Sequence, residues 1–293
     1  MDKSVVQVED YRQALISYVY RIIGCFEDSK DIVQDTYLKY ISFEKDISNT
    51  KAWMYKVATN LSFDFLKKAK RKKELYIGPW LPEPYIEDSK EGFDEIQLDE
   101  SLSIALLVLM EKLSARERVA YILHDLFDFK HKEIADILNT SNQNSRQLNS
   151  RANKKLKDKR GKYRPSKDEH IKLTNSFLSA VKKGDFLGLQ EIFRADVELY
   201  SDGGGKAIAA RKVLYGDDEF ISKFLVKVTA PVFGDESVAV ELKPIWFNGS
   251  LGLLLIVNDK IQTSYSFEIQ NEKIAKIFVH RNPDKLHYFK NYL

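Results

Sequence analysis

Residues Leu113–Leu156 read LSARERVAYILHDLFDFKHKEIADILNTSNQNSRQLNSRANKKL and decide the fold of their part of the chain. Ser114 followed three residues later by Glu117 is a capping box, which marks the start of a helix. Two helices of helix-turn-helix proportions follow, Lys130–Leu138 and Asn142–Arg160, joined by the short turn NTS. In such a motif the second helix enters the major groove of DNA.

The outer face of that second helix is polar or basic, whereas Leu148, Ala152 and Leu156 step by four along its inner face. A generic two-helix hairpin would carry charges of both signs on its outer face. Acidic residues are absent from Asn139 to Lys157, so the pattern favours a polyanion partner. The outward residues are Arg146, Gln147, Ser150, Arg151, Lys154 and Lys155.

The net charge of +3 over 293 residues says little until it is divided along the chain. Residues 1–73 carry a net charge of +4, residues 74–100 carry −8, residues 101–167 carry +8 and residues 168–293 carry −1. The sequence therefore predicts two basic modules separated by an acidic tether and followed by a neutral third module.

The first basic module has the period of helices. Its third helix is predicted over about Thr50–Lys70, with an apolar face at Trp53, Val57, Leu61, Phe65 and Leu66. This helix ends in KKAKRKK, Lys67–Lys73, where six of seven residues are basic. The helix dipole explains one or two such lysines at a C-terminus but not six basic residues, so the run indicates a phosphate-binding surface.

The acidic tether, residues 74–100, contains Gly and Pro residues that break regular structure. Its stretch WLPEP, Trp80–Pro84, places a large apolar side chain among prolines. An exposed tryptophan in a linker usually packs against something, so we expect this segment to dock.

After Pro165 the pattern changes to two helices, Asp168–Arg194, and then to strands. A short helix around Asp218–Leu225 interrupts the strands, which are expected to pair antiparallel in an α+β domain. The predicted strands are Val197–Tyr200, Ser237–Leu242, Ile245–Phe247, Leu251–Val257, Ile261–Ile269 and Ile274–His280.

The sequence offers little evidence of export or membrane insertion. No secretory signal is recognised at the N-terminus, and the longest apolar runs fall short of the roughly 20 residues that cross a bilayer. Cys25 is the single cysteine, so no intrachain disulfide forms. We expect a globular protein in the reducing cytoplasm, with no membrane partner.

Several motifs resemble one family. The segments Asp31–Tyr40 and Ala52–Lys68 are similar to domain 2 of an extracytoplasmic-function (ECF) sigma factor, and Leu113–Leu156 is similar to domain 4. WLPEP, DGGGK (Asp202–Lys206) and NPDKL (Asn282–Leu286) resemble the signatures of the subgroup with a fused SnoaL-like C-terminal domain. Their expected order along one chain makes chance agreement a poor explanation.

The resemblance implies a multidomain protein. Two all-α sigma modules, a domain 2 helical bundle and a domain 4 helix-turn-helix, would precede an α+β SnoaL-like cone-shaped barrel. The implied boundaries are residues 1–73 for domain 2, 74–100 for the linker, 101–164 for domain 4 and 165–293 for the C-terminal domain.

The resemblance also implies partners: core RNA polymerase, through its largest-subunit clamp and its flap, and promoter DNA. Asp31, Gln34 and Asp35 match the clamp-binding helix, although an ordinary solvated face explains each of them alone. Arg146 and Arg151 match positions that meet the −35 element, and Gln147, Ser150 and Lys154 of the same outer face are expected to bind there with them. The positions that match the −10 contacts are Asn60, Lys67, Lys68, Lys70 and Arg71.

Asn60 matches a residue that holds a flipped-out base, and an amide can both donate to and accept from a base edge. The alternative is an ordinary helix-surface asparagine. The lysines and Arg71 would contact phosphate and so supply affinity rather than sequence preference. Arg146 and Arg151 would either bind guanine or neutralise phosphate.

The chain departs from the family pattern just before the helix-turn-helix. Asp128 and Lys130 stand where relatives usually carry Gly and then Ser or Thr, and His124 replaces a frequent Arg. Asp tolerates a left-handed backbone, but Lys130 cannot cap a helix as a hydroxyl does. Asn153 replaces the second Arg of an Arg-Ala-Arg, so promoter sequences do not transfer from relatives.

For the C-terminal domain two functions compete. The resemblance implies a regulator in cis, standing in for a separate anti-sigma factor. The alternative is a small-molecule isomerase or hydrolase tethered to a DNA-binding module, with Asp202, His280 and Asp284 as available groups. We identify no catalytic set, metal ligands or cofactor motif, and a small ligand of the C-terminal domain is a further candidate partner. The expected docking residues are Trp80, Leu81, Pro82, Asp202, Gly203, Gly204, Gly205, Lys206, Asn282, Pro283, Asp284, Lys285 and Leu286.

Overall fold

The computed structural model describes residues 10–86, 102–157, 165–216, 218–235 and 237–292. The chain forms two compact units. The first comprises residues 1–75 and 107–160, and the second comprises residues 76–106 and 161–293. The linker segment that begins at Tyr76 therefore belongs to the second unit, together with the C-terminal domain.

The N-terminal part of the first unit contains three helices: α1 (Arg12–Ile23), α2 (Phe26–Ile41) and α3 (Thr50–Glu74). Gly24 ends α1 with φ of 73°, a left-handed conformation that glycine adopts without steric cost. The hydroxyls of Tyr18 on α1 and Thr59 on α3 share a buried hydrogen bond of 2.6 Å. These contacts fix α3 against α1.

The buried face of α3 differs from the predicted one. Trp53, Val57, Leu61, Phe65 and Leu66 are only partly buried, and the buried positions among the described side chains of α3 are Met54, Tyr55, Ala58, Thr59 and Ser62. The hydroxyls of Thr59 and Ser62 donate to the carbonyls of Tyr55 and Ala58, at 2.6 and 2.7 Å. A hydroxyl that bonds within its own helix can be buried at little cost, and apolar periodicity does not detect such residues.

The second part of the first unit contains residues 107–110 of α4 (Ile104–Met110), α5 (Ala115–Tyr121), a π-helical turn (Ile122–Leu126), α6 (His131–Ile137) and α7 (Asn142–Lys157). The predicted capping box is confirmed, because Ser114 and Glu117 bond reciprocally at the start of α5. The helix-turn-helix of α6 and α7 is also confirmed, with Leu148, Ala152 and Leu156 buried.

The turn before α6 behaves as its unusual sequence suggests. Asp128 has φ of 57°, in the left-handed region. The Lys130 side chain makes no cap, and the Glu133 carboxylate instead accepts from the Lys130 N–H at 2.8 Å. At the start of α6 only the Glu133 half of a capping box is therefore formed, because the Lys130 side chain accepts no hydrogen bond.

The second unit is a six-stranded sheet with helices. Its elements are α8 (Lys167–Lys183), α9 (Phe186–Ile192), β1 (Phe193–Asp202), β2 (Leu214–Tyr215), α10 (Asp218–Phe233), β3 (Val240–Phe247), β4 (Ser250–Val257), β5 (Lys260–Gln270), β6 (Lys273–His280), α11 (Pro283–Leu286) and a closing 3-10 helix (His287–Tyr292). The strand order is β2-β1-β6-β5-β4-β3.

Two features of this sheet differ from expectation. β1 and β6 run parallel, with Asp202 opposite His280, whereas only antiparallel pairs were predicted. The two strands predicted around Pro244 form one edge strand, β3, because a proline at an edge breaks no ladder bond to a further strand. The core lies between this sheet and α8, around Phe177, whose ring packs 4.8 Å from that of Phe267.

Candidate functional site

The residues expected to meet the −10 element lie on α3. Asn60, Lys67, Lys68 and Lys70 are exposed, and Lys67 pairs with Asp64 at 3.0 Å. The side chain of Arg71 lies outside the described part of the structure. The basic run occupies the C-terminal turns of one helix, so its described lysines project from a single rigid element.

The residues expected to meet the −35 element all lie exposed on α7: Arg146, Gln147, Ser150, Arg151 and Lys154. Arg146 donates to Asn142 at 3.2 Å, and Arg151 donates to the Gln147 carbonyl at 3.3 Å. Bonds of this kind hold both guanidinium groups along the helix. Lys155 instead pairs with buried Glu117 at 2.7 Å, so it ties α7 to α5.

Asp31, Gln34 and Asp35, expected to meet the polymerase, are exposed on α2. Their spacing of three and four residues places them on one face of the helix. The face is acidic, which suits a basic partner.

A third site lies wholly within the second unit, where the linker is bound. Its centre is an ion pair between Asp202, at the end of β1, and Lys285, on α11, with an N–O distance of 2.7 Å. Both side chains are almost completely buried, at 0% and 6% exposure. Charges this deep are tolerated only when their remaining hydrogen-bonding atoms are satisfied.

The linker supplies hydrogen-bond partners to both charged groups of this pair. Leu81 N–H donates to Asp202 Oδ2 at 2.9 Å, and the Tyr76 hydroxyl donates to Asp202 Oδ1 at 2.5 Å. Lys285 Nζ donates to the Leu81 carbonyl and lies 4.5 Å from the centre of the Trp80 ring, a cation–π contact. Burial and the neighbouring Asp202 carboxylate raise the pKa of Tyr76, which keeps its hydroxyl a donor.

His280 holds the next residue of the linker. Its Nε2 lies 2.9 Å from the carbonyl of Pro82, and its Nδ1 lies 3.2 Å from the Ser264 hydroxyl. A carbonyl can only accept, so His280 carries its proton on Nε2 and accepts from Ser264. Burial, and then the nearby Lys285 charge, lower the pKa of His280 to about 4, so the ring is neutral near pH 7.

The far end of the described linker is held by Asn248, in the β3–β4 turn. Tyr85 N–H donates to Asn248 Oδ1 at 2.9 Å, and Asn248 N–H donates to the Tyr85 carbonyl at 2.7 Å. The Asn248 amide also donates to the Leu102 carbonyl at 3.0 Å. This residue was not among the sequence candidates. Its signal is the Asn-Gly turn between strands, which by itself indicates only a hairpin.

Each of the three glycines of DGGGK lies too close to a neighbour to carry a side chain: Gly204 and Gly205 face the linker, and Gly203 faces its own loop. Gly204 has φ of 58°, and a Cβ there would lie 2.3 Å from Asn282 Nδ2 and 3.1 Å from the Tyr76 hydroxyl. A Cβ on Gly205 would lie 2.9 Å from Ile77, and one on Gly203 would lie 2.4 Å from the Ala207 carbonyl. Each glycine is thus required by a different neighbour.

The structure brings most of the expected docking residues together. Asn282 caps α11 through Asp284 N–H at 3.1 Å and donates to the Tyr76 hydroxyl at 3.0 Å. Lys206 and Asp284 pair on the surface at 2.5 Å. Leu286 is buried, whereas Pro283 is exposed. Residues that the sequence reasoning missed are Tyr76, Asn248, Ser264 and Tyr288, which donates to Glu83 at 2.8 Å.

The side chains considered for catalysis already have ion-pair or hydrogen-bond partners. Asp202 is paired with Lys285, His280 is bonded on both nitrogens, and Asp284 is an exposed partner of Lys206. Within the described residues, no group of three or more His, Cys, Asp or Glu side chains is arranged to hold a metal ion. Among the same residues, no helix combines the length and apolarity required to span a bilayer.

Comparison with known proteins identifies the class. Residues 7–72 match the family described as Sigma-70 region 2, and residues 103–156 match Sigma-70, region 4. The ECF RNA polymerase sigma factor SigJ of Mycobacterium tuberculosis is 32% identical over 254 residues, covering 85% of this chain and 80% of that protein. SigM of Bacillus subtilis is 27% identical over 157 residues, covering 51% of this chain and 93% of that protein.

The crystal structure of the Mycobacterium tuberculosis SigJ superposes with a TM-score of 0.74 at 28% identity, covering 97% of this chain and 98% of that one. The chain belongs to the family of ECF RNA polymerase sigma factors. The expected fold class, two helical sigma modules followed by an α+β SnoaL-like domain, is confirmed. The chain is a transcription factor rather than an enzyme.

Gly204→Ala should release the linker. The added Cβ strains a left-handed backbone by about 1–2 kcal/mol and also collides with Asn282 and Tyr76. We expect limited proteolysis to cleave residues 76–86 at least several-fold faster than in the wild type. Gly184→Ala is the matched control, because Gly184 has φ of 65° but its nearest neighbour, Val226, lies 4.0 Å from the added Cβ. Equal cleavage in the two variants would contradict this account.

The second unit should lose stability on mild acidification. The pKa of His280, and that of buried His170, is about 4 in the folded state, below the ordinary value of 6.5. The unfolded chain therefore binds these protons more strongly. Stability is complete above pH 6.5 and falls by about 1.4 kcal/mol per pH unit per histidine toward pH 4. Denaturant titrations should show a shallower fall for His280→Gln, and an unchanged slope would refute the assignment to His280.

Proposed function

We propose that this chain directs core RNA polymerase to a subset of promoters and that its C-terminal unit controls its output in cis. The supporting observation is the binding of the linker to that unit through the buried Asp202–Lys285 pair. We propose the domain boundaries at 1–73, 74–100, 101–164 and 165–293, and action in the cytoplasm, where core polymerase works.

For promoter binding we propose a division of labour between α3 and α7. Asn60 would hold an unstacked base of the −10 element, and Lys67, Lys68, Lys70 and Arg71 would neutralise phosphates. The −35 element would be read from α7 by Arg146, Gln147, Ser150, Arg151 and Lys154. Exposure of these described side chains on rigid helices supports the proposal.

For polymerase binding we propose that Asp31, Gln34 and Asp35 dock on the largest-subunit clamp. Their acidic helix face suits basic groups on that partner. The helix-turn-helix module would reach the flap region while α7 contacts DNA.

The proposed control in cis acts through chain connectivity. The basic helix α3 ends at Glu74, and only Leu75 separates it from Tyr76, which is anchored to Asp202. Any change in how the second unit holds Tyr76–Tyr85 therefore acts on the chain directly after the residues proposed to contact DNA. Trp80, Leu81 and Pro82 would form the linker side of this docking. On the other side we propose Asp202, Gly203, Gly204, Gly205, Lys206, Asn282, Pro283, Asp284, Lys285 and Leu286.

A small ligand would alter the contact between the linker and the second unit if it bound where the two meet. A cleft of about 420 Å³ is lined on one side by Ile77 and Gly78 of the linker and on the other by Gly205, Lys206 and Arg211. We propose this cleft as the place where a small ligand would contact linker and glycine loop together. Two cations on one wall favour an anionic compound.

Transcription in vitro tests the proposed function. Core polymerase with the full chain should initiate at specific promoters of a genomic library. Arg151→Ala should lower initiation about tenfold or more, since a bidentate contact to guanine contributes about 1–3 kcal/mol. Lys227→Ala, which removes an exposed charge from α10, is the matched control. Absence of initiation by the wild type at every promoter would end the proposal.

Control in cis is tested by the output of Gly204→Ala against Gly184→Ala in the same assay. We expect release of the linker to change initiation at least several-fold, and the direction of the change defines the C-terminal unit as activator or inhibitor. Equal output from both variants would refute control through the linker. A chain ending near Arg164 is a less direct test, because it leaves Leu81 and Tyr85 without their binding site.

A further inference from the structure

Two histidine rings lie close together beside the helix-turn-helix. The ring of His124, in the π-helical turn, has its centre 4.1 Å from that of His131, the first residue of α6, with 30° between the ring planes. Both side chains are partly exposed, so ions in the solvent reach them. His124 is also a position where the chain departs from the family pattern. The proposed contacts with DNA and polymerase use neither ring, so this histidine pair is left without a role.

A hydrogen bond to the backbone leaves one bare nitrogen on His124. Its Nδ1 lies 3.0 Å from the carbonyl of Phe129, and a carbonyl can only accept, so Nδ1 carries the proton. The neutral ring then has its lone pair on Nε2. Histidines that bind a metal through one nitrogen commonly donate the other N–H to a carbonyl in this way, which fixes both the tautomer and the orientation of the ring.

His131 has a matching arrangement. Its Nδ1 lies 3.2 Å from the hydroxyl of Ser145, a fully buried residue of α7, and this hydroxyl can accept the Nδ1 proton and leave Nε2 bare. Burial, followed by the charges of His124 and Arg146, lowers the pKa of His131 below its ordinary value, whereas Asp125 acts in the opposite direction. The ring is therefore neutral near pH 7, the form in which imidazole binds metals.

The distance between the rings favours one coordination geometry. A metal bound about 2.1 Å from an imidazole nitrogen lies about 3.2 Å from the ring centre. Two such rings have centres about 4.5 Å apart when the angle at the metal is about 90°, and about 5.2 Å apart at the tetrahedral angle. The observed 4.1 Å is closer to the first value. Ions that are square-planar or octahedral and bind imidazole, such as Ni²⁺ and Cu²⁺, therefore fit better than tetrahedral Zn²⁺.

We propose that His124 and His131 form a two-histidine site for Ni²⁺, with water in the remaining positions. The part of the chain that the structure describes places no third His, Cys, Asp or Glu ligand with them, so the site is open and exchanges its ion with solvent. The reducing cytoplasm expected for this chain keeps copper as Cu⁺, which prefers sulfur ligands, and this leaves Ni²⁺ as the favoured occupant.

The site is joined to α7 through Ser145. This residue directly precedes Arg146, one of the side chains proposed to meet the −35 element. A bound ion would hold together the turn before α6, α6 itself and the first turn of α7. It would also add positive charge beside the proposed DNA-binding face. The metal site itself does not depend on the assignment of that face.

Titration calorimetry of the untagged full chain tests the site, with NiCl₂ as the probe. A Cys25→Ser background removes the single thiol, which would otherwise compete for metal. We expect one Ni²⁺ per chain. His124→Arg and His131→Gln should each weaken binding at least tenfold, because either change removes one of two ligands. His287→Gln, which removes an exposed histidine of the second unit, is the matched control and should leave the affinity unchanged.

Ser145→Ala distinguishes a metal site from two rings in simple contact. The hydroxyl orients His131, and the loss of such an orienting partner lowers metal affinity by about 10–100-fold. Ni²⁺ should also raise the unfolding temperature of the Cys25→Ser chain, since it binds the folded site alone, and should raise it less in Ser145→Ala.

The ligands can also be counted without changing either histidine, which keeps the test decisive if a variant fails to fold. Electron paramagnetic resonance of the Cys25→Ser chain with one equivalent of Cu²⁺, as a spectroscopic substitute for Ni²⁺, should show two coordinated imidazole nitrogens. A single imidazole, no stoichiometric Ni²⁺ binding, or equal affinity in His124→Arg overturns the site and leaves the histidine pair as a packing contact. These readouts decide the metal site whether or not the chain initiates transcription.

Discussion

The Asp202–Lys285 pair is the interaction on which the second unit depends. An isolated charge at that depth would cost several kcal/mol, and the two charges repay this cost only because backbone and hydroxyl groups complete their hydrogen bonds. Those groups come from Tyr76 and Leu81 of the linker. The linker is therefore part of the folded unit, since removing it would leave a buried carboxylate and ammonium incompletely satisfied.

Around that pair the three short motifs of the chain form one structure. WLPEP provides the bound strand of linker, DGGGK provides the carboxylate and a loop without side chains, and NPDKL provides the ammonium and the Asn282 amide. The Gly204 position shows their mutual dependence most clearly, because Asn282 and Tyr76 occupy the space of a Cβ. A substitution in any one motif therefore disturbs contacts made by the other two.

Much of the helical part could be predicted from the sequence, because capping boxes, apolar periodicity and runs of one charge are local signals. Ser114, Glu117 and the inner face of α7 are examples. The buried face of α3 was not predictable in this way, since Thr59 and Ser62 look polar until their hydroxyls bond the helix backbone. The residues that form the linker site were likewise not predictable from local sequence signals. Asn248 and Tyr76 act through partners more than 120 residues away, and only the folded chain brings them together.

The single residue between α3 and the anchored Tyr76 has a consequence for building chimeras. A boundary drawn at the start of the C-terminal domain would separate residues 161–293 from the segment 76–106 that completes their fold. The transplantable module is discontinuous in sequence: a donor chain must supply both pieces, and the recipient helix must end at Glu74 or its equivalent. Natural recombination among related chains faces the same constraint, so intact exchange of the second unit requires three crossover points, at residues 75/76, 106/107 and 160/161.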